Sequence, residues 1–142
     1  RVLFRSIYNG DYVSEVGKLE NWPAEYLQKN DETTEAQRAA FRKAVAAGVK
    51  IAYGTDAVVY PHGWNARQLP YMVKYGMTPM QAIQSATIEA ARLMKWSNKV
   101  GSISAGKYAD IIAVKGNALE DLAKFSDVEF VMKGGVTVKG GK

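Results

Sequence analysis

The 142-residue chain has no cysteine, which excludes disulfides and thiolate metal sites but does not fix the compartment. It has a single histidine, His62, so a histidine-rich metal site cannot be built from this chain alone. No apolar run reaches the roughly 18 residues of a transmembrane helix, and no charged-then-apolar head reads as a signal peptide. No basic block stands out either. The 19 Lys and Arg against 14 Asp and Glu give a formal +5, but the cations are scattered, whereas a nucleic-acid footprint needs a clustered stripe. The sequence therefore predicts neither a membrane nor a nucleic-acid partner. No Gly-x-Ser-x-Gly occurs, so a serine triad has little support, and the glycines do not form a phosphate-binding loop ahead of a helix.

What is present is a globular composition, 47% hydrophobic and 23% charged. The first six residues, Arg1-Val2-Leu3-Phe4-Arg5-Ser6, are what one reading frame of a common sequencing-adapter end would encode. Residues 1–6 are read as a non-native head and set aside from the fold. With no initiator methionine, the sequence reads as part of a longer gene product.

Local signals divide the rest. Asn9-Gly10-Asp11 is a turn signal, and Trp22-Pro23 suits the start of a helix. Thr34-Glu35-Ala36-Gln37 has the form of a capping box ahead of a helix that Gly48 stops. A strand over Val49–Tyr53 follows at once and ends in Gly54-Thr55-Asp56, which suggests an α/β unit. A second helix is expected over 66–75, with Asn65 and Gln68 at capping-box spacing and Pro70 bending it or delaying its start. A third opens with Thr78 as cap, Pro79 in the first position and Gln81 three residues past the cap, and Thr87 divides it in two. Beyond Trp96, strands are expected at Ala109–Val114, Val128–Met132 and Val136–Val138, the last two joined at Gly134-Gly135. A boundary falls near residue 97. Both halves should expose strand edges that a larger chain would cover.

Asp56 is the main chemical candidate. A carboxylate just past the C-terminal end of a parallel strand faces the place where barrel enzymes build their sites, and it suits metal ligation or general-base work. A turn aspartate is the bland alternative. His62, on a loop six residues later, suits substrate contact or proton transfer, or a plain backbone bond. Asn65 suits a substrate contact, although helix capping already explains it. Tyr53, Tyr60 and Trp64 suit a pocket lining or ordinary core, and Asp110 suits a turn closure.

Taken in order, these pieces resemble one family. Gly48-Val49-Lys50-Ile51-Ala52-Tyr53-Gly54-Thr55-Asp56-Ala57 is similar to the last barrel strand of metal-dependent amidohydrolases. Gly76-Met77-Thr78-Pro79-Met80-Gln81-Ala82-Ile83, with Ala86-Thr87 and Ala90-Ala91, resembles the helix pair that follows. Val100-Gly101-Ser102-Ile103 and Gly106-Lys107-Tyr108-Ala109-Asp110-Ile111-Ile112 resemble the return into a side β-domain, continued by Gly116–Asp121 and Val131–Gly135. The imidazolonepropionase-like and Xaa-Pro dipeptidase-like branch is the nearest in pattern. The sequence departs from it at Val58, where a glycine is expected, at Trp64, and at Pro70.

The resemblance implies an α/β fold: the C-terminal portion of a (β/α)8 barrel over residues 7–97, then strands of a small side β-domain over 98–142. It implies a hydrolase of amide, cyclic amide or dipeptide C–N bonds that uses one or two divalent metals, usually zinc. Asp56 would bind metal and carry the proton, and His62 and Asn65 would face a small amide or peptide substrate. The other ligands of the family would lie upstream of residue 1, so this chain alone is expected to be inactive. A homo-oligomeric parent is compatible with the reading. Cytoplasm is favoured as the compartment, an export signal being a matter for upstream sequence. The competing readings are a complete, non-catalytic α/β binding or interaction module and, more remotely, a basic nucleic-acid binder.

Overall fold

A computed structural model describes the backbone of residues 2–5 and the full residues 7–141. The chain is mixed α/β, with helices between and beside two small sheets. Strand β1, Val2–Arg5, lies parallel to β2, Ile51–Gly54, in the register Val2↔Ile51 to Arg5↔Gly54. The proposed head residues 2–5 thus belong to the sheet, a correction to leaving them out of the fold. The ends of that head, residues 1 and 6, lie outside the described residues.

Two helices connect these strands: α1, Asn9–Leu19, and α2, Ala24–Ala46. They form an antiparallel hairpin, held where Asn30 Nδ2 donates to the Gly10 carbonyl at 2.9 Å and to Ser14 Oγ at 3.0 Å. Two sequence expectations are corrected here. Asn9-Gly10-Asp11 is no turn but the start of α1, and its glycine is needed because a Cβ on Gly10 would stand 2.1 Å from Thr34 Oγ1. Thr34 is no cap either: it lies inside α2, buried against α1. The helix begins eleven residues earlier, with Pro23 at the cap as Trp22-Pro23 suggested, where a fixed φ and a missing N–H cost nothing.

After β2 come a 3-10 turn, His62–Arg67, and helix α3, Gln68–Lys74. Pro70 falls in the first turn of α3, so that helix does start late. The cap at Thr78 is as expected: Gln81 N donates to Thr78 Oγ1 at 3.2 Å and Thr78 N to Gln81 Oε1 at 2.8 Å, opening α4, Pro79–Ala86. Thr87, at φ −121° and ψ −89°, breaks it from α5, Ile88–Leu93. Phe41, Met72, Ile7, Ile51, Leu69 and Ala82 close one apolar core between β2 and these helices.

The remaining strands, β3 Ile111–Val114, β4 Val128–Lys133 and β5 Val136–Lys139, form an antiparallel sheet in that order. Gly134 and Gly135, at φ 56° and 84°, make the two-residue hairpin between β4 and β5. Asp110 closes the same turn, accepting from Gly134 N at 2.8 Å and from Lys133 Nζ. The Leu122–Ser126 turn brings Leu122 and Phe125 against the helical core. No helix among the described residues is long and apolar enough to cross a membrane.

Candidate active site

Strand β2 ends at Gly54, and its carbonyl accepts a 2.6 Å hydrogen bond from Nε2 of Gln68, a fully buried side chain on α3. One residue earlier, the Tyr53 hydroxyl donates to the Asn65 carbonyl. The strand end is therefore fastened to the 3-10 turn and to α3. Burial, with a smaller contribution from nearby Tyr60, lifts the Tyr53 phenol well above the usual tyrosine range, so it remains a neutral donor at physiological pH.

Asp56 follows two residues on. Its φ of 50° is left-handed, a conformation aspartate tolerates because its short side chain can bond locally. Its carbonyl accepts from Val58 N at 2.8 Å, which tightens the turn. Ala57 and Tyr60 are buried beneath the loop, while Asp56, Val58 and Val59 face solvent. The loop is thus anchored at Ala57 and Tyr60 and leaves Asp56 exposed. The Tyr60 hydroxyl donates to the Thr55 carbonyl at 3.4 Å. Burial raises the Tyr60 phenol first; the Thr55 bond acts against it, and the charges of Tyr8 and Asp56 add to it.

His62 opens the 3-10 turn and is exposed. Asn65 does not cap α3 as the spacing suggested: its Nδ2 donates back to the His62 carbonyl. Its Oδ1 is buried without a partner. The three candidates thus share one loop, but no hydrogen bond or ion pair joins their side chains to one another among the described residues.

The aromatics near them behave as a cluster. Tyr8 meets Tyr60 edge-on at 5.2 Å and Tyr71 at 5.4 Å, and Tyr12 meets Tyr60 at 5.9 Å and Trp64 at 5.8 Å. Tyr60 is therefore core rather than pocket wall, whereas Trp64 is half-exposed at the rim. Sequence reasoning missed Gln68 as a tether, reading it only as a capping partner, and missed Arg67. The guanidinium of Arg67 lies 3.7 Å from the Trp64 ring centroid. Its i,i+3 spacing from Trp64 on a helical turn was the available signal.

No group of three or more His, Cys, Asp or Glu side chains that could hold a metal ion comes together among the described residues. A catalytic zinc takes about three protein ligands. Asp56 is a single oxygen donor, so these residues do not by themselves fit a bound metal.

The profile of the amidohydrolase family matches residues 10–138. The chain belongs to the amidohydrolase family. Ochratoxinase from Aspergillus niger is 40% identical over 106 residues, 71% of this chain and 22% of that protein. Imidazolonepropionase from Brevibacillus brevis is 36% identical over 81 residues, 54% of this chain and 19% of that protein. Among solved structures, a Xaa-Pro dipeptidase with bound methionine in the active site is 45% identical, with a TM-score of 0.86 over 94% of this chain and 33% of that one. The amidohydrolase chain thus spans about a fifth of these curated relatives and a third of the dipeptidase structure.

Proposed function

We propose that residues 7–97 are the closing part of a (β/α)8 barrel, that residues 98–142 contribute strands to a small side β-domain, and that the complete protein is a metal-dependent hydrolase of amide, cyclic amide or dipeptide C–N bonds. The single observation behind this is Asp56: a solvent-facing carboxylate held in a left-handed turn two residues past the C-terminal end of a parallel strand. That is where barrel enzymes place their chemistry. The names of the relatives, hydrolases of amide and related bonds among them, supply the reaction class.

In this reading Asp56 is one metal-binding carboxylate and the proton carrier between water and leaving group, and His62 and Asn65 face the substrate. The divalent metal, zinc by family resemblance and one or two per protein, takes its remaining ligands from outside this chain. Metal ions of this kind supply a hydroxide near neutral pH when bound. The chain by itself is inactive.

The test is to produce the complete polypeptide that carries this sequence, load it with zinc, and assay a panel of dipeptides, N-acyl amino acids and cyclic amides. Hydrolysis that Asp56→Asn abolishes is the expected result. A folded, metal-loaded protein that cleaves none of the panel, or an Asp56→Asn variant that retains activity, overturns the reading and favours the non-catalytic module.

A further inference from the structure

Three successive carbonyls lead out of β2, and each accepts a hydrogen bond from a different donor. The Gly54 carbonyl accepts from Gln68 Nε2 at 2.6 Å, the Thr55 carbonyl from the Tyr60 hydroxyl at 3.4 Å, and the Asp56 carbonyl from Val58 N at 2.8 Å. Tyr60 and Val58 follow Asp56 within a few residues, so their bonds fold the loop onto itself. Of these three donors, Gln68 alone reaches the segment from a helix, α3. Its bond is also the shortest of the three, and its side chain is fully buried.

The position of that bond matters. The register between β1 and β2 ends at Arg5↔Gly54. Backbone groups at the end of a ladder need other partners. Gln68 supplies one at the last paired residue, and two residues on the chain turns left-handed at Asp56. A side chain that only filled space would do better without polar atoms. Leucine or methionine would occupy a similar volume and would not bury an Oε1 that has no partner among the described residues. What the glutamine adds is the N–H that meets Gly54.

We propose that Gln68 is a positioning residue for the hydrolysis: through the Gly54 carbonyl it fixes where the Asp56 carboxylate stands, and it takes no part in the chemistry itself. The inference rests on the amide-hydrolase reading above and deepens it. Reacting groups displaced by about 1 Å lose up to roughly 100-fold in rate, so a tether two residues from the carboxylate controls turnover. Substrate affinity belongs to other residues, His62 and Asn65 in that reading, and the tether leaves it alone.

The experiment uses the complete polypeptide, zinc-loaded for kinetics and metal-free for amide hydrogen exchange. Wild type, Gln68→Met and Gly17→Ala are compared on the panel substrate that wild type cleaves fastest, with rates taken per folded molecule. Gly17→Ala strains the helix hairpin, where a Cβ would stand 2.6 Å from Leu27 Cδ2, and serves as a destabilised control. The expected result is that Gln68→Met lowers kcat roughly 10- to 100-fold with KM nearly unchanged, and speeds exchange of the Val58 amide roughly tenfold. Gly17→Ala does neither. Should Gln68→Met fail to fold, Gln68→Asn decides in the same way, since it keeps the amide but draws it back by one methylene. A folded variant with wild-type kcat, Val58 exchange unmoved by the loss of the donor, or an equal fall in kcat in Gly17→Ala overturns the inference and leaves the hydrolase reading in place. A wild type that hydrolyses none of the panel overturns the hydrolase reading; faster Val58 exchange in Gln68→Met then leaves Gln68 as a loop anchor with no reaction to serve.

Discussion

The Gln68 side-chain amide donates to the Gly54 carbonyl at 2.6 Å, while its other end, Oε1, is buried with no partner among the described residues. This asymmetry gives a sharp expectation. Gln68→Glu places a carboxylate in a fully buried position beside a carbonyl that also only accepts. Burial raises the pKa of the new carboxyl, so its cost is paid above the ordinary glutamate range and relieved as pH falls. The variant should lose roughly 2–4 kcal/mol at neutral pH and regain much of it near pH 4, read from urea midpoints at the two values. Gln68→Met, which removes the orphan oxygen along with the bond, should lose less.

Asp11 and Arg38 give the opposite sign. Burial pushes the Asp11 carboxyl up, but hydrogen bonds from Arg38 and Tyr71, with the charges of Arg38 and Lys74, hold it below the ordinary carboxylate value. A lowered folded pKa contributes stability that is complete above the unfolded value and vanishes as pH falls through the folded one. Asp11→Asn should therefore destabilise at pH 7, by about 1 kcal/mol after screening at this partly exposed carboxylate, with the difference from wild type fading as pH falls below the ordinary aspartate range. Denaturation across that range checks it, and a constant difference would contradict it.

Asp56→Asn and Asp56→Ala separate chemistry from backbone. Asparagine tolerates the left-handed conformation that Asp56 adopts and should leave stability within roughly 0.5 kcal/mol, whereas alanine at φ 50° should cost about 1 kcal/mol. Both should abolish hydrolysis in the complete zinc-loaded protein. Thermal unfolding and activity are measured on the same samples.

The helix hairpin supplies a packing test. Gly10→Ala drives a Cβ to within 2.1 Å of Thr34 Oγ1, and Gly17→Ala drives one to within 2.6 Å of Leu27 Cδ2. Each should cost roughly 1–3 kcal/mol despite the better helix propensity of alanine. Unchanged or increased stability in either would mean that the hairpin yields there.

The legible parts of the fold are those whose partners are close in sequence. The Thr78 cap, the break at Thr87 and the Gly134-Gly135 turn depend on residues within four positions of one another. The strand before Asp56 was legible from a short apolar run that ends in small residues. The misreadings at Gly10 and Thr34 share a cause: each carries a local signature that a contact across the helix hairpin overrides. The Gln68 tether and the Arg67–Tyr8 bond were illegible for the same reason. The carbonyl that one holds and the hydroxyl that the other meets lie 14 and 59 positions away.

Among the described residues, neither sheet closes on itself: β1 and β2 make a parallel pair, and β3 forms one rim of a three-stranded array. Unsatisfied amides along such rims recruit whatever extended backbone they meet. At high concentration, and without other polypeptide to cover them, neighbouring molecules become the cheapest source of it. Such pairing rises with concentration, so dilution suppresses it.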